Sequence, residues 1–305
     1  MNIIKNLPIP ISGLILALLS LGNLLQDIHP HIRYLFGFIA IIFMILLILK
    51  VILYPEDIKN DLKNPVILSS SGTFSMSLML LSTYLSSFMS SIAYTIWIIG
   101  ISLHILLMIY FTYRFIIRNF DILTVYPTYW IVYVGITMGA ITAPTYGIKE
   151  IGFICFIIGF ISMLLTTPLV IYRYAKYPDI PDSNKATTCI FTALFSILIV
   201  GYLNSAPFIF NEFLFALYCI ACAFYIFAFY KVVEYRNLDF YPSFSAFTFP
   251  FVISALATKA VIKIVGSNTA LSLILTFETL IAVVLVFYVL SEYMKYLKID
   301  KESRN

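Results

Sequence analysis

Charge is scarce in this 305-residue chain. Asp, Glu, Lys and Arg together make up 11% of it, less than half the share of about 25% usual in soluble domains. So little charge excludes a nucleic-acid-binding surface and a solvated, disordered chain. Histidine occurs three times and cysteine four times. Cys155, Cys189, Cys219 and Cys222 all fall inside apolar runs, which speaks against a disulfide framework. Cys219-Ile220-Ala221-Cys222 has the spacing of a redox motif, but in an apolar stretch expected to face lipid these residues read as inert small hydrophobes. No glycine-rich phosphate loop is present, so ATP-driven pumping by this chain alone is not expected. His104 is the one histidine in an apolar run, while His29 and His31 lie in a polar break. No cofactor, metal site or enzymatic centre is expected.

What the chain has is apolar length. Hydrophobic residues make up 61% of it and its mean hydropathy is +0.98. A spanning helix needs roughly 20 apolar residues. Ten such runs can be marked, at about 8–26, 33–54, 65–88, 91–117, 127–145, 150–175, 186–206, 211–233, 242–265 and 270–296. The expected class is an all-α membrane protein forming one transmembrane domain over 1–305, with a short cytoplasmic tail from about 297.

Lys and Arg set the orientation. Fifteen of the 19 fall on one side of this layout. Only Arg33 and Lys149 fall on the other, and Lys259 and Lys263 lie inside the ninth span. The positive-inside rule then puts both termini in the cytoplasm, and the plasma membrane is the expected location.

The spans repeat as hairpins. Odd-numbered spans open with Pro8, Pro65, Pro127 and Pro242, at spacings of 57, 62 and 115. The last spacing is about twice the first, and the missing member falls near the start of span 7. Proline in a first helical turn sacrifices no hydrogen bond. Five tandem hairpins fit a quasi-five-fold ring. Odd spans carry small and hydroxyl residues, such as Ser69 to Ser77 in span 3 and Thr187, Thr188, Thr192 and Ser196 in span 7. Even spans are dominated by Ile, Leu, Phe and Tyr. Small residues belong where helices approach closely or line a cavity. Both readings stay open: tight packing without a path, or an inner ring of odd helices around a central pore.

No Asp or Glu lies inside an odd span, which argues against cation conduction. Lys259 and Lys263 sit one turn apart near the outer end of span 9. Folding the last hairpin at about residue 267 brings Glu278 to the depth of Lys259, so a buried Lys259–Glu278 salt bridge is one expectation. The other is that Lys259 and Lys263 attract anions at an outer vestibule. Lys263, nearer the surface, can also snorkel to water.

Pro250 lies eight residues into span 9, where an interior proline kinks a helix. The kink is expected to move Phe249 towards the axis. Counting about seven residues from each hairpin start places Ile15, Gly72, Val134 or Gly135, and Phe191 at the same depth, and Ser254 lies about one turn beyond Phe249. These are the candidate lining residues of a waist closed by apolar side chains, with Phe249 as its gate.

With these residues in view, the chain resembles the tellurite-resistance/dicarboxylate transporter family, which includes bacterial TehA and the plant guard-cell slow anion channels. The resemblance rests on Pro8-x-Pro10, on Tyr126-Pro127-Thr128-Tyr129-Trp130 and on Ala246-Phe247-Thr248-Phe249-Pro250, in this order along ten spans. It implies a homotrimer in which each protomer has its own pore, lined by five inner helices and occluded by a phenylalanine in span 9 that maps onto Phe249. It also implies partners that are inorganic anions or small carboxylates. The chain departs from the pattern in span 7, which lacks the opening proline, and in span 1, which has Ala17 where a mid-helix proline belongs. Two functions are expected on these grounds. One is a passive channel for small monovalent anions of the chloride and nitrate class. The other is a secondary transporter of malate-class dicarboxylates, sulfite or tellurite oxyanions. The odd spans offer no titratable group besides the two lysines, which favours the channel.

Overall fold

A computed structural model describes residues 2–298, so all but the first two residues of the expected tail lie outside it. Helices account for nearly all of the ordered backbone, with no strand among the described residues. Those that build the core are α1 (Ile11–Leu25), α2 (Pro30–Leu53), α3 (Pro65–Leu85), α4 (Ser90–Arg118), α5 (Thr128–Tyr133), α6 (Thr137–Thr142), α7 (Lys149–Lys176), α8 (Asp182–Ser205), α9 (Asn211–Tyr235), α10 (Pro242–Val265) and α11 (Thr269–Lys298). Among the described residues, eight of them are long and apolar enough to cross a membrane: α2, α3, α4, α7, α8, α9, α10 and α11. The first expected span is a helix of 15 residues. The fifth is divided into α5 and α6, with a further 3-10 turn at Ala143–Tyr146.

Local chemistry explains the helix starts. Pro30 and Pro65 each occupy a first turn. Asn64 caps its helix by accepting hydrogen bonds from the Val66 and Ile67 N–H groups at 2.8 and 3.3 Å. The α10 helix stops at Gly266, whose φ of 86° lies in the left-handed region that glycine tolerates.

Consecutive helices pack as antiparallel hairpins: α1 on α2, α3 on α4, α6 on α7, α8 on α9 and α10 on α11. The inner members also touch one another in a closed circuit, α1 to α3 to α6 to α8 to α10 and back to α1. Burial separates the two kinds of helix. In an 18-residue stretch of α8, 94% of residues are buried, against 22% in α4 and 28% in α7, α9 and α11. The exposed faces of these outer helices carry Ile, Leu and Phe, as lipid contact requires. Cys219 lies on such an exposed face of α9.

A feature absent from the sequence reading recurs along the chain. Each inner segment is interrupted at a comparable point. Helix α1 starts directly after Pro10. Helix α3 breaks at Ser71, and α5 gives way to α6 across Val134–Ile136. In α8 a 3-10 turn ends at Ile190, and in α10 another ends at Phe247 before the α-helix begins at Phe249. Pro250 therefore does not kink the interior of a helix. It sits in the first turn of a new helix, and the break lies at Thr248 (φ −104°, ψ −85°). A proline there removes no helical hydrogen bond.

In four of the five segments a hydroxyl near the break also bonds a carbonyl three residues back. Ser12 donates to the Ile9 carbonyl at 2.9 Å, Thr73 to Ser70 at 2.8 Å, Thr187 to Asn184 at 2.6 Å and Thr248 to Ser245 at 2.6 Å. These hydroxyls therefore add to the local backbone bonding at the breaks.

Candidate functional site

The five interruptions surround one small cavity of about 60 Å³. Pro10 and Gly13 reach it from the first inner segment, and Ser70, Thr73 and Met76 from α3. Ile131, Val134 and Gly135 come from the α5–α6 segment, Ile190, Ala193, Leu194 and Ile197 from α8, and Ser245, Ala246, Phe249 and Pro250 from α10. No charged side chain lines it. Its polar side-chain groups are hydroxyls and the Trp130 indole N–H, and the hydroxyls of Thr128 and Ser243 and the Trp130 N–H have no hydrogen-bond partner among the described residues.

Phe249 lines this cavity and is 6% exposed, and Pro250 and Gly135 line it beside Phe249. The other candidate lining residues lie elsewhere. Ile15 is fully buried in the packing of α1. At Gly72 an added Cβ would meet Ile131 and Leu107 side chains, both at 3.0 Å, so this glycine serves close packing between α3, α5 and α4. Phe191 makes edge contacts with Trp130, Tyr174, Phe224 and Phe227 at centroid distances of 4.7 to 5.6 Å. It faces the outer helices, and its neighbours Ile190 and Leu194 take the cavity wall. Ser254 shares its hydroxyl with Thr192 at 2.8 Å and Ser196 at 3.1 Å, tying α10 to α8. Equal counting from hairpin starts misses these orientations because the breaks reset the rotation of each helix.

A second, larger cavity of about 540 Å³ lies beyond the first, at the end of the molecule that holds the α1–α2 link. Arg33, Lys259 and Lys263 line it, with one carboxylate, Asp27. Its apolar floor includes Leu80, Ile141, Val200 and Leu256. Met76 of the small cavity and Leu80 of the large one are four residues apart on α3, and Ile197 and Val200 are three apart on α8. At 1.5 Å per residue, these lining residues of the two spaces stand only about 4.5–6 Å apart along the helix axes.

The expected Lys259–Glu278 salt bridge is not present. Lys259 Nζ lies 2.8 Å from Asp27 Oδ2 and donates to the Leu24 carbonyl at 2.9 Å. The circuit of inner helices explains the exchange of partner, because it closes with α10 against α1, whose last turn carries Leu24 and whose following link carries Asp27. A cation there also meets the negative end of the α1 dipole. Hydrogen bonding from Lys259 holds the Asp27 carboxyl below the usual carboxylate range, aided by the charges of Lys259 and Lys263 and opposed by slight desolvation. Glu278 is 4% exposed between α9, α10 and α11, with Thr258 as a hydrogen-bond partner and Oε2 without one.

Arg33 was not singled out from sequence. Its guanidinium donates to the Thr83 carbonyl at 3.1 Å and stacks 4.4 Å from the Tyr84 ring centre, capping the C-terminal end of α3. Asp27 was also missed. The available signal was its place in the same short polar break as Arg33, on the side with few charges. His104 is fully buried, with ring nitrogens 2.7 Å from the Ser75 hydroxyl and 3.1 Å from the Val132 carbonyl. It fastens α4 to α3 and α5.

These features define a polytopic helical membrane protein whose inner segments enclose an uncharged cavity beneath a cationic vestibule. A family profile for voltage-dependent anion channels matches residues 6–293. The chain belongs to this family, which comprises anion channels and transporters rather than enzymes. Among curated proteins, none matches the chain.

Proposed function

We propose that the protein is a passive channel for small monovalent anions, closed as it stands, with Phe249 as its gate. The observation that carries this reading is the small cavity itself. All five inner segments reach it, no acid lines it, and its wall is apolar apart from hydroxyls and the Trp130 indole N–H. An acid-free, hydroxyl-bearing path suits anions, and an apolar constriction blocks ions by dewetting. Phe249 supplies a large ring to that wall, held by the helix start at Pro250. On this reading the chain forms one transmembrane unit of ten spans in a quasi-five-fold arrangement. The first and fifth spans are short or broken, both termini are cytoplasmic, the vestibule opens outward in the plasma membrane, and three protomers assemble, each with its own path.

One observation favours a second reading. Three cations around one vestibule suit a dianion better than a monovalent ion, as a transporter of malate-class dicarboxylates, sulfite or tellurite would require.

Anion current through reconstituted wild type and Phe249→Ala separates them. Removing the ring enlarges the cavity by roughly a phenyl group. A rise of tenfold or more in nitrate or chloride current, reversing at the anion potential, supports the gated channel. Silence from both folded proteins, with saturable exchange of labelled malate, moves the assignment to the transporter.

A further inference from the structure

The large vestibule holds more than a diffuse positive field. Asp27 sits on the four-residue link between α1 and α2, its side chain 67% exposed. Lys259, in contrast, is 16% exposed and is also held by the Leu24 carbonyl. One partner is therefore solvated, and the other is held against the fold. Lys263 lines the same space one turn further along α10 and has no ion pair or hydrogen bond among the described residues. Arg33 closes the opposite wall.

We propose that this vestibule is a binding site for a small carboxylate-type anion, and that Asp27 is its resident occupant, a tethered carboxylate that an entering anion displaces from Lys259. The proposal rests on the reading of the path as one for anions and adds to it the ligand class of the outer site and a competitor built into the chain. The Asp27 side of the pair is exposed, so water compensates the carboxylate that leaves. Lys259 keeps its place through Leu24 and gains the free anion as its second acceptor. With Asp27 in place the lining carries three cations and one acid, a net charge of +2. With Asp27 swung out it presents three cations to the incoming ligand. A cavity of about 540 Å³ leaves room for a hydrated acetate-sized ion beside these groups.

The simpler alternative is that Asp27 and Lys259 only clasp α1 to α10. Thermal unfolding of the purified full chain in detergent, titrated with sodium acetate or sodium nitrate at an ionic strength held with the large HEPES anion, separates the two. Asp27→Asn should lower the half-stabilising anion concentration at least about threefold, by removing the competitor and raising the site's charge. Asp27→Glu, which keeps the carboxylate, should stay near wild type. Lys263→Ala, which breaks no hydrogen bond, should raise that concentration about threefold. Equal half-stabilising concentrations in wild type, Asp27→Asn and Lys263→Ala, or no stabilisation of any of them, overturn the proposal. Should Asp27→Asn fail to fold, Lys263→Ala alone decides. The same titration needs no current. A conducting Phe249→Ala variant with unmoved titrations therefore sinks the vestibule site alone, while shifted titrations with a silent Phe249→Ala sink the gate and leave the site.

Discussion

Gly159 of α7 lies so close to Thr137 of α6 that a Cβ built on it would stand 2.1 Å from Thr137 Oγ1. Gly201 of α8 approaches the same residue from another side, where a Cβ would meet Thr137 Cγ2 at 2.3 Å. The threonine is wedged between two glycines, fully buried, and cannot turn away from one without meeting the other. Gly159→Ala and Gly201→Ala should each lower the unfolding temperature, by an overpacking cost of about 1–3 kcal/mol. Thr137→Ala should rescue both, because it removes the atoms struck and leaves contacts of 3.4 Å. A double-mutant cycle on the detergent-solubilised protein measures this. Additive losses would refute the wedge.

Ser254 provides a test of where the path runs. Its hydroxyl joins Thr192 and Ser196 between α8 and α10 instead of lining the small cavity. Ser254→Ala should destabilise modestly, by about 0.6–1.7 kcal/mol, the range of interhelical hydrogen bonds in a membrane. In a conducting Phe249→Ala background it should leave the nitrate-to-chloride reversal potential unmoved. A changed reversal potential would put the serine on the path after all.

Glu278 makes no ion pair among the described residues, so its substitution should behave unlike the loss of a salt bridge. Removing one partner of a buried pair costs about 3–5 kcal/mol. Glu278→Gln keeps a side-chain oxygen for Thr258 and strands no cation, since Lys259 is held by Asp27. It should unfold within a few degrees of wild type. A loss as large as that expected for a broken buried pair would show that Glu278 has a charged partner.

Much of this architecture was legible in the sequence, and the parts that were not share a cause. The hairpin starts at Pro65 and Pro242 could be read because proline at a first turn is a local signal. Phe249 could be placed because a proline directly succeeds it. Side-chain direction could not be read in the same way. Phe191 and Gly72 were assigned by counting residues as if each span were one continuous helix, but the breaks at Ile190 and Ser71 re-aim the side chains beyond them. The partner of Lys259 was sought along its own hairpin, where sequence makes Glu278 near. The true partner, Asp27, is 232 residues away and becomes a neighbour only when the last inner helix closes on the first. Contacts made by closing a circuit leave no periodic trace in the chain.

The recurring interruption divides the inner wall into two storeys. Below it, short stubs such as Pro242–Phe247 and Ala186–Ile190 are 3-10 turns rather than a continuation of the α-helical ladder. Above it, helices of 14 to 17 residues stand in four of the five segments. The wall of the small cavity is therefore built from the junctions between the storeys, where each segment changes direction, and not from uninterrupted helix faces.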